Sequence, residues 1–338
     1  MKAAIVILNY NGKEMLERFL PNVIINSIFP IIVADNASTD GSCDFLAKSY
    51  PELEILNNSQ NLGYAGGYNA ALEQLKGRFT YYILLNSDVE VNAGWDCKLI
   101  HFLDQNSLAA GVQPKILSHQ NPENFDYAGA CGGFLDSLGY PYCRGRILNT
   151  IEKDEGQYDE ILEVDWASGA CLAIRTNVFE EFAGFRADFF AHMEEIELCW
   201  RIRKKGMKLY CLPQSTVYHL GGGTLSKTNA YKTYLNFRNS ILMLYLNLDR
   251  KGFRNVFWKR LPLDMIAGVH LMFSQGWAHS LAVFWAYRDF FKMRRRMAKD
   301  SLLASKLVKG SSGRKVLSII LTYYFQGKKK FSQLGLVK

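Results

Sequence analysis

Ala3-Ala4-Ile5-Val6-Ile7-Leu8-Asn9-Tyr10-Asn11-Gly12 follows Met1 and a single lysine. Its six apolar residues have the composition of a strand buried on both faces, and the run then stops at polar groups and a glycine. The pattern recurs along the chain. Ile31 to Ala34 runs into Asp35-Asn36, Leu53 to Leu56 makes a third strand, and Tyr81 to Leu85 runs into Asn86-Ser87-Asp88. Helical stretches lie between and after these runs, at Lys13 to Leu20, Ser42 to Ser49, Gly67 to Lys76 and Trp95 to Gln105. Strand and helix in alternation imply an α/β domain whose mostly parallel sheet is flanked by helices. Such sheets bind ligands beyond the carboxyl ends of their strands, so three strands ending in polar clusters imply one shared cleft.

The chain has 338 residues, 49% hydrophobic and 21% charged, which suits a folded protein with a large core. Net charge is +8, and it is unevenly spread. From Asp249 onward there are 19 basic and 4 acidic residues, against 21 and 28 before it. An acidic body with a basic tail is unlike a nucleic-acid enzyme, whose groove must itself be basic, so nucleic acid is excluded as partner. An anionic membrane surface fits the tail better. The seven cysteines are scattered without any CxxC pair, which indicates neither a disulfide framework nor a zinc cluster. The apolar N-terminal run is too short for a signal peptide, so the cytoplasm is the expected compartment.

Gly111 to Glu163, rich in Gly, Pro, Asn and Tyr, reads as loops and short strands that shape an acceptor side. Regular signals return with Val164 to Arg175, helices at Thr176 to Ala183 and His192 to Lys204, and a strand at Met207 to Leu212.

Chemistry-bearing residues sit at the strand ends and on one later helix. The run from Asp35 to Ser42 opens a helix, and turn chemistry alone would account for it. Asn61-Leu62-Gly63-Tyr64-Ala65-Gly66-Gly67 has the glycine spacing that lets backbone N–H groups approach a ligand at a helix start. Asp88, at the mouth of a buried strand, can bind a hard divalent cation that bridges diphosphate oxygens, or can simply cap a helix. In Met193-Glu194-Glu195-Ile196-Glu197-Leu198-Cys199-Trp200-Arg201, Glu194, Glu197 and Arg201 share a helix face. Three carboxylates in four residues repel one another and can lift one toward the pKa of a general base. A solvated acidic helix start would show the same charges. His219, after a strand and before Gly221-Gly222-Gly223, is a competent metal ligand when neutral, and the glycines would let a loop close over a diphosphate.

Together these segments resemble the family 2 glycosyltransferases of the GT-A fold, especially the rhamnosyltransferase-like branch, over residues 3 to 245. The resemblance implies a Rossmann-like GT-A sheet and an inverting, metal-dependent transfer from a nucleotide-sugar donor. Asp35 would contact the base, Asn61 and Gly63 would line the nucleotide site beside Asn9 and Ser87, and Asp88 with His219 would hold Mg²⁺ or Mn²⁺. Glu195 matches the usual Asp of a Glu-Asp pair and would deprotonate the acceptor hydroxyl. Two positions depart from the family pattern: Asn86 replaces the first Asp of the Asp-x-Asp metal motif, and Glu195 is one methylene longer than Asp. The choice between Glu194 and Glu195 as base stays open on sequence. A sugar-phosphate nucleotidyltransferase would share the sheet, but an early glycine-rich loop with Arg and Lys is missing. A non-catalytic carbohydrate- or membrane-binding protein is the other alternative.

Residues 1 to 248 are thus expected to form the catalytic domain. Residues 249 to 338 are expected to form a basic, aromatic-rich helical appendage, peripheral on the inner face of the plasma membrane, with a glycan or lipid-linked glycan as acceptor. Met265 to Tyr287 is long enough to leave a spanning helix open. Aromatic residues beside Arg288, Lys292 and Arg294 to Arg296 also suit helices lying in the interface.

Overall fold

The computed structural model describes residues 1–221, 229–297 and 316–336. In chain order the elements are β1 (Ala3–Asn9), α1 (Lys13–Asn26), β2 (Ile31–Asp35), α2 (Ser42–Ser49), β3 (Glu54–Asn57), α3 (Gly63–Gln74), β4 (Tyr81–Asn86), β5 (Val89–Val91) and α4 (Trp95–Gln105). Next come β6 (Ala109–Ser118), β7 (Gly133–Leu135), β8 (Pro141–Cys143), β9 (Arg146–Ile147), β10 (Thr150–Ile151), β11 (Leu162–Val164), β12 (Cys171–Arg175), α5 (Thr176–Glu181), α6 (Glu194–Lys204) and β13 (Lys208–His219). The chain continues with α7 (Ala230–Asn247), α8 (Arg250–Gln275), α9 (Trp277–Met293) and α10 (Ile319–Phe325).

The main sheet runs β11-β13-β6-β12-β4-β1-β2-β3, with β5 paired to β13. β3, β2, β1 and β4 are parallel, as are β6 and β13, while β12 runs against its neighbours. Alternation explains the apolar runs. Ala4 and Val6 enter the core on one face with Ile32, Ala34 and Leu84; Ala3, Ile5 and Ile7 enter the other with Ile31, Val33, Ile83 and Leu85. Register then fixes the cleft: Asn9 lies opposite Asp35, Asp35 opposite Asn57, and Leu8 opposite Asn86, so the polar residues share one edge.

Several expected boundaries shift for identifiable reasons. α3 begins at Gly63 rather than Gly67, and α6 at Glu194 rather than His192, because His192 and Met193 carry φ of +69° and +74°. The segment expected to hold only loops and short strands contains most of β6, a ten-residue strand with nine buried positions. Its polar residues Gln113 and Lys115 are satisfied by Ser168 N and by Asp154 and Asp159. The rest folds into a second, four-stranded antiparallel sheet, β10-β9-β8-β7. All seven cysteines are free.

The stretch from Met265 to Tyr287 is two helices, broken at Gly276 with φ of +102°. Among the described residues no helix is long and apolar enough to cross a membrane. Both helices pack on the body. α9 lies along α7, with Thr233 Oγ1 and His279 Nδ1 2.8 Å apart and Tyr234 donating to Asp289. α8 is tied in by buried Asp264, which accepts from Tyr140, Tyr287 and Arg260 at 2.6, 2.7 and 3.1 Å.

Candidate active site

The edge formed by β1, β2 and β3 carries a polar lattice. Asn9 Nδ2 donates to Asp35 Oδ1 (3.0 Å) and to Ser38 Oγ (3.2 Å), and Ser38 N donates to Asp35 Oδ2 (2.8 Å). Asp35 is thereby buried and oriented, while Asn9 Oδ1 is buried with no hydrogen-bond partner. Ser87 approaches from β4: a Cβ placed on Gly12 would meet Asn9 Oδ1 at 2.6 Å and Ser87 Oγ at 3.7 Å. Asn36, in the polar cluster after β2, ties the glycine loop to that strand. Its side chain donates to Asn61 Oδ1 (3.0 Å) and Gly63 O (3.1 Å) and accepts from Asn58 Nδ2 and Leu62 N. Gly63 is required by its own geometry, since φ is +69° and a Cβ would lie 2.4 Å from Phe190 O.

Antiparallel pairing of β5 with β13 sets His219 opposite Val89 and so beside Asp88. His219 Nε2 is 3.2 Å from Asp88 Oδ1, and Nδ1 is 2.9 Å from Asp126 Oδ1. Burial would lower the pKa of this imidazole, but Asp88 and Asp126 outweigh burial and push it up to about 10. The expected neutral imidazole is therefore an imidazolium between two carboxylates in the metal-free protein. Asn86 Nδ2 stands 3.5 Å from Nε2, where the motif would carry a second carboxylate. The glycines Gly222 and Gly223 lie outside the described residues.

Glu194 and Glu195 open α6 after a strained approach. Phe190, His192 and Met193 all have positive φ, a conformation costing about 1–3 kcal/mol per non-glycine residue. α7 holds this loop in place. Asn239 Nδ2 reaches the carbonyl oxygens of Phe189, Ala191 and His192 at 2.7–2.9 Å, and Arg238 Nη2 donates to Asp188 O and Phe189 O. Ala65 N, in the first turn of α3, donates to Phe190 O at 3.1 Å, which joins the glycine loop to the acidic helix. The link to β4 runs through Tyr64, which feels both glutamates and donates to Gly169 O (2.7 Å), beside Ala170, the acceptor for Asn86 N. Glu194 and Glu195 each leave Oε2 buried without a hydrogen-bond partner. Burial pushes Glu195 up to about 7; burial, and then the charge of Glu195, push Glu194 well above the carboxylate range.

The family model for glycosyl transferase family 2 matches residues 4–182. The chain belongs to that family. Low-salt glycan biosynthesis hexosyltransferase Agl10 of Haloferax volcanii is 25% identical over 71% of this chain and 74% of its own length. N-acetylglucosaminyl-diphospho-decaprenol L-rhamnosyltransferase of Mycobacterium tuberculosis is 28% identical over 64% of this chain and 75% of its own. These relatives are named for different transfers, so the comparisons reach the family and not the rhamnosyltransferase-like branch. GalNAc-T7, solved with UDP, GalNAc and Mn²⁺, matches with a TM-score of 0.59 at 17% identity. The match covers 78% of this chain, which spans half the length of that one, and it establishes the GT-A fold.

In this family 2 glycosyltransferase Glu197 does different work from its neighbours. It is fully buried and accepts from Arg201 Nε (3.0 and 2.9 Å), Arg186 Nε (3.2 Å) and Asn247 Nδ2 (3.2 Å). Arg201 continues to the carbonyl oxygens of Phe182 and Gly184, so one carboxylate joins α6, α7 and the loop ahead of the acidic helix. Removing one partner from a buried ion network costs about 3–5 kcal/mol, because the other charges stay buried. Glu197→Gln is expected to lose stability of that order in urea unfolding, while Glu195→Gln keeps wild-type stability or gains some.

Sequence reasoning missed Asp126 and Asn239. Asp126 stands among ordinary turn residues, and Asn239 acts through a contact that only the tertiary fold creates.

Proposed function

We propose that this family 2 transferase moves a sugar from a nucleoside diphosphate sugar to a hydroxyl of a glycan acceptor with inversion at the anomeric carbon, Glu195 being the base. The single observation that carries this is the Glu195 carboxyl: half-buried, with one oxygen unpartnered, a pKa near 7, and seated on a clamped, strained loop joined to the glycine loop. Glu195 takes the proton of the acceptor hydroxyl as the hydroxyl oxygen bonds to the anomeric carbon, and the carbon–oxygen bond to the diphosphate breaks, releasing the nucleoside diphosphate. One displacement inverts the configuration. Asp35 and the Asn61–Gly63 loop hold the nucleotide, with Asn9 and Ser87 beside them.

Asp88 and His219 fit a divalent cation. Once a cation displaces the Nε2 proton of the imidazolium, an oxygen and a nitrogen donor would converge, both nearly buried, and Asp126 would orient the imidazole as outer carboxylates do at metal sites. Among the described residues no group of three or more such donors gathers. Bound there, Mg²⁺ or Mn²⁺ would neutralise charge on the leaving diphosphate.

We further read the acceptor as lipid-linked and the enzyme as peripheral on the cytoplasmic face of the membrane, acting in surface polysaccharide assembly. A relative named for a decaprenol-linked acceptor supports this. The test is the full chain with Mn²⁺, a panel of sugar nucleotides and a diphospholipid-linked sugar, scoring nucleoside diphosphate release and the anomeric configuration of the product. Acceptor-dependent release from one donor with inversion is expected. Retention of configuration, or pyrophosphate release from a nucleoside triphosphate instead, would overturn the reading.

A further inference from the structure

We propose that the outer face of the α8–α9 hairpin is a docking surface for an anionic lipid bilayer. The inference deepens the lipid-linked acceptor reading and rests on it for its purpose. From Leu261 to Tyr287 the chain carries one charged residue, Asp264, which is 1% exposed and bound by Arg260. The exposed surface of this stretch is mostly apolar, with His270, Ser274 and Gln275 its exposed polar side chains. Ile266, Val269 and Phe273 recur at helical spacing on α8, and Trp277, Leu281 and Phe284 on α9, so each helix turns an apolar stripe outward. Phe273 is 81% exposed and Trp277 63% exposed, on either side of the Gly276 break. Isolated exposed apolar residues are ordinary, but two adjoining stripes form a patch that wants an apolar partner.

Charge says which partner. Exposed Lys259 and buried Arg260 precede this stretch on α8; exposed Arg288 and Lys292, both beside Asp289, follow it on α9, and Arg288 Cζ stands 4.0 Å from the centre of the Trp285 ring. Aromatic residues next to exposed basic ones match the interfacial region, where rings sit at headgroup depth and cations reach phosphates. At about 1.5 Å per residue the arms Leu261 to Gln275 and Trp277 to Tyr287 are roughly 22 and 16 Å long, too short to span a hydrocarbon core of about 30 Å. A second copy of the chain is the poorer occupant, since a symmetric contact would set the same basic rim against itself.

The surface also faces the right way. The start of α9 lies at the start of α7 through Thr233 and His279, and Tyr231 on α7 packs against Phe190, ahead of Glu194 and Glu195. The opening of the acidic helix is therefore at the hairpin's end of the molecule. The turn Asp136–Tyr140 holds the buried face of α8 through Asp264, which keeps the opposite, apolar face turned outward.

The test is flotation of the full chain with vesicles of about one part phosphatidylglycerol to two parts phosphatidylcholine, without donor or acceptor. Its failure would therefore leave the transferase reading standing. F273S/W277S is expected to bind at least about tenfold more weakly than wild type. R288Q/K292Q is expected to lose the preference for anionic over pure phosphatidylcholine vesicles. Both should keep the wild-type melting temperature and turnover on a short water-soluble acceptor. Wild-type vesicle binding by F273S/W277S would overturn the proposal. So would a concentration-dependent dimer that F273S/W277S dissolves while wild type ignores vesicles.

Discussion

Glu195→Gln is expected to lower turnover by about 10²- to 10⁴-fold with donor affinity unchanged, the usual worth of a positioned base. Gln keeps the shape of the side chain and removes the proton acceptor, so single-turnover kinetics and nucleotide titration separate the two effects. Glu194→Gln should fall far less, because burial and then the charge of Glu195 raise Glu194 well above its ordinary value and disfavour its ionised form. The reverse ranking would move the base to Glu194. The pH dependence follows from the same environment. With Glu195 near 7, kcat/KM should rise through that region and level off above it, and Glu195→Gln should lose this limb. The folded pKa lies above the ordinary value of 4.5, so protonated Glu195 favours the native state below 4.5 and that contribution is lost as pH rises through 7. Glu195→Gln should then melt higher than wild type at pH 8 and no higher at pH 4. Equal melting curves at pH 8 would show that ionised Glu195 costs the native state nothing.

The half of the sheet that builds the nucleotide edge was legible in the sequence because each strand is local and obvious. Ala3 to Leu8, Ile31 to Ala34 and Tyr81 to Leu85 are apolar without interruption, and the first polar residue after each is where the strand ends within a residue. β6 was not legible, since Gln113, Pro114 and Lys115 break its apolar pattern and the partners of Gln113 and Lys115 come from 39 to 55 residues away. The start of α3 was obscured by Gly63, Gly66 and Gly67, poor helix formers that this fold uses to bring Phe190, Leu62 and Asn36 close. The acidic helix was visible as charge, and the Glu197–Arg201 pair as spacing. The positive φ values before it were not, because Asn239, which holds His192 O, lies 47 residues further on.

Asp88→Asn is expected to bring turnover close to background and to abolish Mn²⁺ binding measured by calorimetry in the presence of nucleoside diphosphate. The reason lies in how little else is there. Asn86 supplies no charge where the motif has its first Asp, so Asp88 is the carboxylate that faces His219 Nε2 from this strand end. Replacing it with an amide removes that negative charge while keeping the size. Asp126→Asn provides the scale. Asp126 touches only the far nitrogen of His219, and loss of such an orienting partner typically costs about 10- to 100-fold in metal affinity or activity. Asp88→Asn should exceed that range, and His219→Ala should fall between the two, since a neutral ligand contributes less than a carboxylate to a hard cation. Folding of Asp88→Asn is checked by its melting curve, which should stay cooperative but fall, because the buried His219 imidazolium keeps Asp126 and loses Asp88. Full turnover by folded Asp88→Asn, or wild-type turnover in excess EDTA, would leave the nucleotide edge and Glu195 as the working parts of the site and remove the cation from it.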